Sequence, residues 1–160
     1  MKKIFLVGLI LLLTSCFMQK GQWINGKCRP KNSNFKLSRV PFKETDELVF
    51  NNVYEGVSTS LGFGFYKDGR LICFNSDDGS ALKREDVFGK NWDNAIAIGY
   101  WRFDENKIRI EFFVCHDGGF YNFKQGEIKG DTIVLYKNIY HPFRKEVREE
   151  RYILSKIYHW

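Results

Sequence analysis

The chain has no apolar run approaching the ~20 residues that a helix needs to cross a bilayer at about 1.5 Å rise per residue, which excludes a helical span. Helical periodicity is also missing. Only "SALKREDVF" (Ser80 to Phe88) has the pattern for one or two turns, with Ser80 in the cap position. No basic block with interleaved stacking aromatics occurs, and "RKEVREERY" (Arg144 to Tyr152) mixes both signs, so nucleic acid is excluded as a partner. His116, His141 and His159 lack ligand spacing, which argues against a metal site. "GFGF" (Gly62 to Phe65) is followed by neither a helix start nor Lys-Ser/Thr, so it is no phosphate loop. "NSDDGS", with Asp77 and Asp78, lacks the alternating oxygen ligands and closing Glu of a calcium loop and reads as a solvated turn. No cofactor is expected.

What is present begins with Lys2 and Lys3, an apolar run from Ile4 to Leu13, and small residues before Cys16. This is the layout of a secretory signal. Leu13-Thr14-Ser15-Cys16 resembles the lipobox of bacterial lipoproteins. That resemblance implies cleavage before Cys16, acylation of its sulfur and its new amino terminus, and attachment to a membrane through the lipid. Two or more acyl chains hold a protein firmly, at ~0.8 kcal/mol per buried methylene. Residues 1–15 are then a signal peptide, and the mature charge is mild, with 23 basic against 19 acidic residues once Lys2 and Lys3 are gone. Phe17 follows the cysteine and "FMQKGQ" has no aspartate or acidic cluster. By resemblance to lipoprotein sorting, this implies a cell-envelope address, the outer membrane facing the periplasm.

Residues 16–44 are rich in Lys, Asn, Gly and Ser and read as the lipidated end and a tether, with "GQWING" (Gly21 to Gly26) the first piece to dock. Residues 45–160 read as one domain. Short aromatic and β-branched runs alternate there with turns at Asp68-Gly69, Asp104 to Asn106 and Gly130-Asp131. Along one run, Ile108, Ile110, Phe112 and Val114 alternate with Lys107, Arg109, Glu111 and Phe113, which predicts one buried and one wet face. The expectation is an all-β antiparallel meander of about seven to eight strands. Closure into a barrel removes its edges most completely, and a two-sheet sandwich is the alternative. "GFYKDGRLICF", "GYWRFDENKIRIEF", "GEIKGDTIVLY" and "RYILSKI" together resemble the lipocalin-like barrels of bacterial lipoproteins, which implies a ligand-binding interior.

Chemistry is sparse. "CHDGG" offers Cys115, His116 and Asp117, but consecutive strand residues point to opposite faces, so they form no relay and no catalytic residue is assigned. Cys28, Cys73 and Cys115 allow one disulfide and one free thiol, with Cys115 on the face opposite the core and Cys73 a buried strand thiol. Phe63, Phe65, Trp101 and Phe103 are expected in the core. Trp92, Tyr140 and Phe143, with Asp77 and Asp78, are the candidate binding rim. The reading is a non-catalytic, membrane-anchored module binding a small apolar ligand or an envelope component. A protein-binding inhibitor or immunity-type lipoprotein is the alternative. A hydrolase would need a nucleophile beside a base, which no segment supplies.

Overall fold

The computed structural model describes residues 20–76, 78–141 and 144–159. Residues 1–15, expected to be a signal peptide, and Cys16, Asp77 and Phe143 lie outside them. A two-stranded hairpin, β1 (Gly21–Ile24) and β2 (Lys27–Pro30), precedes eight strands: β3 (Asn52–Gly56), β4 (Leu61–Phe65), β5 (Arg70–Asn75), β6 (Ala97–Asp104), β7 (Lys107–Val114), β8 (Phe120–Lys129), β9 (Thr132–His141) and β10 (Arg144–His159). Each of the eight pairs antiparallel with the next, and β10 closes onto β3. The protein is therefore an up-and-down β-barrel with no free edge, rather than a sandwich.

Turn chemistry makes the meander. Glu105 and Asn106 both take positive φ (46° and 65°), the mirror-image turn that suits the twist of β6 and β7. At Asp68-Gly69 only Gly69 does so (φ 86°), and the Gly69 amide bonds to the Tyr66 carbonyl. The loop between β4 and β5 is thus a three-residue turn closed by a left-handed glycine, not the two-residue turn that the dipeptide predicts. The short helix α1 (Arg84–Val87) starts four residues later than expected. Its cap is not Ser80: the Lys83 amide donates to Asp86 Oδ2 at 2.8 Å.

The interior is aromatic. Tyr54, Phe63, Phe65, Trp101 and Tyr152 are fully buried, and Phe63 meets both Phe112 and Tyr152 ring to ring at 5.5 and 4.8 Å. The expected interior residues Ile108 and Ile110 join them, with Phe103 packed at the margin. One end of the barrel, that of the β4–β5, β6–β7 and β8–β9 turns, is stopped by the chain before β3. Phe42 and Phe50 pack on Trp101 at 5.2 and 5.9 Å, and Leu48 is buried with them.

The outer wall differs from expectation in one region. Glu111 and Phe113, assigned to the wet face of β7, are 2% and 0% exposed. The cause is the segment read as a tether. Residues 20–44 lie along β6 and β7, with Cys28, Phe35 and Leu37 buried against the wall. Polar groups on the wall fix the segment in place. Glu111 Oε2 accepts the Leu37 amide at 2.8 Å, and the Arg102 Nε–H donates to the Val40 carbonyl at 2.7 Å. A disulfide joins Cys28 to Cys115, and Cys73 is the buried free thiol.

Candidate functional site

The connections β3–β4, β5–β6, β7–β8 and β9–β10 gather at the other end of the barrel. The β1–β2 hairpin crosses this rim. It is held at its base by the Lys20 amide on the Gly118 carbonyl (2.7 Å) and further along by the Cys28 amide on the Ile96 carbonyl (2.8 Å). Its tip, Asn25-Gly26, is an Asn-Gly turn with both φ positive, 51° and 73°. Gly21 sits close against the Phe113 ring, where a Cβ would stand 3.0 Å from it and the ring would have to give by a few tenths of an ångström. Glycine lets the hairpin lie this close without displacing the ring.

Between hairpin and rim opens a hollow of about 430 Å³, within the range usual for small-ligand sites. Leu61, Ala97, Phe112 and Val114 supply apolar wall from the strand ends, and Trp23 supplies it from the hairpin. Asn75, His116 and Asp117 are its polar members. Cys73 forms the floor; burial pushes its thiol far up, so it stays protonated and behaves as an apolar group. A second, polar hollow of about 350 Å³ adjoins it under the hairpin tip, between Lys27, Asn75, Glu85 and Asp86.

Deeper in the barrel lies a charged cluster. The Lys124 ammonium pairs with Glu150 Oε2, which also accepts the Tyr152 hydroxyl at 3.0 Å. The Lys124 and Glu150 side chains are 9% and 21% exposed. Burial alone would raise the Glu150 pKa, but the Lys124 contact and the Tyr152 hydrogen bond outweigh it, and the carboxyl sits below its ordinary value. Tyr152 is driven strongly upward, by burial first and then by the neighbouring carboxylate.

Of the residues expected at a rim, Trp92 and Asp78 have side chains among the described residues, and each is engaged elsewhere. Trp92 lies on the outer wall, half-buried, with its ring against Tyr100 at 5.6 Å and its amide on the Tyr66 hydroxyl at 2.9 Å. Asp78 is engaged within its own turn, taking the Lys83 ammonium at 2.6 Å and the Ser76 hydroxyl at 2.6 Å, which holds its carboxyl far below the ordinary range. Tyr140 belongs to the β9–β10 ladder, opposite Lys145. In "CHDGG", the sulfur of Cys115 is bonded to Cys28, while His116 Nε2 and Asp117 Oδ2 stand 3.2 Å apart with both side chains exposed. That triple presents no free thiol. Among the described residues no three His, Cys, Asp or Glu side chains converge as metal ligands.

Sequence reasoning missed the mouth-lining residues Leu61, Ala97 and Val114, and the pair Lys124 and Glu150. Strand phase was the available signal, because Lys124 and Glu150 fall in the same inward register as Ile128 and Tyr152. No protein-family model, curated protein or solved structure matches the chain.

Proposed function

We propose that the protein is a cell-envelope lipoprotein, anchored through acyl chains on Cys16, whose barrel mouth binds a small apolar ligand. The mouth hollow carries this reading: an apolar recess rimmed by a few polar groups, at the end of a barrel whose up-and-down topology is the one lipocalins use. The deep cavity of a lipocalin is not part of the proposal, since Phe63, Phe65, Tyr54 and Tyr152 occupy that volume. The ligand is correspondingly short, a medium-length acyl chain or a single ring system.

The hydrophobic dye N-phenyl-1-naphthylamine tests the site. Titration should give saturable fluorescence, and Val114→Trp, which fills the hollow from a half-buried position, should weaken binding about tenfold or more while the melting temperature is retained. Binding without saturation, or equal binding by the variant, would overturn the ligand reading. The filled interior supports a second reading, a plug-type inhibitor that presents the rim to an envelope protein. It would be favoured if no apolar probe binds and the protein co-purifies stoichiometrically with one partner.

The address has its own test. A radiolabelled fatty acid fed to cells should mark the wild-type protein and not Cys16→Ser. Label retained in the variant would remove the anchor. By the sorting resemblance we propose the outer membrane facing the periplasm, and cleavage by protease added to intact cells would contradict that orientation.

A further inference from the structure

We infer that the mouth end of the barrel, led by the β1–β2 hairpin, is the face that lies on the lipid bilayer. The inference rests on the Cys16 anchor proposed above. Its geometric basis is where the chain enters the fold. Lys20 is fixed to Gly118 in the β7–β8 turn, at the rim of the mouth. Four residues back is Cys16, so even fully extended backbone would put its Cα no more than about 14 Å away. A lipid on so short a lead sets the rim against the headgroups. The opposite end, with the β6–β7 turn, points away.

The surface so placed has the composition of an interfacial contact. Trp23 and Ile24, the two residues before the hairpin tip, are 60% and 47% exposed. Large apolar side chains at a hairpin tip are costly in water. A Trp, apolar with one N–H, suits the headgroup boundary. The hairpin charge has one sign: Lys20, Lys27, Arg29 and Lys31 are cationic, and no Asp or Glu occurs between Lys20 and Lys43. Such cations near the surface are attracted to an anionic leaflet, although the Arg29 guanidinium is already engaged with the Cys28 and Trp92 carbonyls. Glu85, Asp86 and Asp117 also lie at this end and oppose the attraction in part. Anionic lipid therefore strengthens the contact, and the apolar pair and the anchor set its orientation. An apolar guest then reaches the mouth from the bilayer rather than from bulk water.

The test uses the full lipidated chain, purified from membranes and reconstituted into vesicles of brominated phosphatidylcholine with a minority of phosphatidylglycerol. Bromine quenches only tryptophans at bilayer depth. Wild-type emission should be quenched, and Trp23→Phe should lose about half of that quenching or more. A tryptophan introduced at the far end, Lys107→Trp in the Trp23→Phe background, should add none. If quenching is the same with and without Trp23, or if Lys107→Trp is quenched as strongly as Trp23, the orientation is wrong while the anchor stands. If Trp23 escapes lipid quenching but is shielded from iodide, the hairpin is covered by protein instead, which also overturns the inference. Absence of fatty-acid label on the chain is a separate result, and it removes the anchor and this orientation together.

Discussion

Replacing Ile110 with alanine lowers the free energy of unfolding by about 2 to 5 kcal/mol, whereas Arg109→Ala changes it by about 0.5 kcal/mol or less. Ile110 is fully buried among the interior residues of the barrel, so truncation removes methylenes from a packed site and leaves a void. Arg109 points outward, and its nearest ion pair, to Asp104 at 3.7 Å, is solvent-accessible and worth little. A one-residue slip in the register of β7 would exchange the two results. The covered outer wall adds a third variant to the contrast. Phe113 shares Arg109's outward phase, yet it is buried beneath the hairpin and meets the Tyr121 ring at 4.9 Å. Phe113→Ala should therefore cost about 3 to 5 kcal/mol. Chemical denaturation of the three variants measures all of this. A small effect at Phe113 would mean that residues 20–44 do not pack on β7. Equal effects at Ile110 and Arg109 would mean that this segment is not a strand with one inward face.

Period and turn carried the fold into the sequence. Alternation in β7 and the turns at Asp68-Gly69, Asp104 to Asn106 and Gly130-Asp131 are local signals, and a meander is built from local pairings. The first hairpin was misread although it holds the strongest such signal, Asn25-Gly26, because only four residues flank the turn on each side and Lys, Arg and Gly dilute their apolar pattern. Docking of "GQWING" was expected, but the partners of this segment are not legible in the sequence, for another reason. What holds residues 20–44 is long-range: the Cys28 bond to Cys115, Phe35 against Tyr100 and Tyr121, and the Leu37 amide on Glu111. None of these leaves a periodic trace. Loop membership says which segments are exposed but not which lie at the same end or which way a side chain turns. Trp92 belongs to a connection at the mouth and still folds back onto the outer wall.

Charge does not mark exposure here. "RKEVREERY" mixes both signs, yet Glu150 within it points into the barrel and meets Lys124 there. Lys124→Met should destabilise the protein by about 3 kcal/mol at neutral pH, because it leaves a mostly buried carboxylate with only the Tyr152 hydroxyl. The pH dependence identifies the cause. In the wild type the Glu150 pKa is held below its ordinary 4.5, so the pair's contribution is complete above that value and fades as pH falls through the depressed pKa. In Lys124→Met the dominant influence left is burial, which raises the pKa. The charged carboxylate is then a penalty at neutral pH, and protonation relieves it on acidification. The gap between the two proteins should therefore narrow steadily as pH falls from neutrality toward 4.5. A purely steric effect of the substitution would leave the gap constant. The double variant Lys124→Met/Glu150→Gln makes the second check. With no charge left to strand and an amide still able to accept the Tyr152 hydroxyl, it should be more stable than Lys124→Met alone, because the two partners act as a unit. Additive losses in the double variant, with a pH-independent gap in the single one, would show that the cluster is not an ion pair in solution.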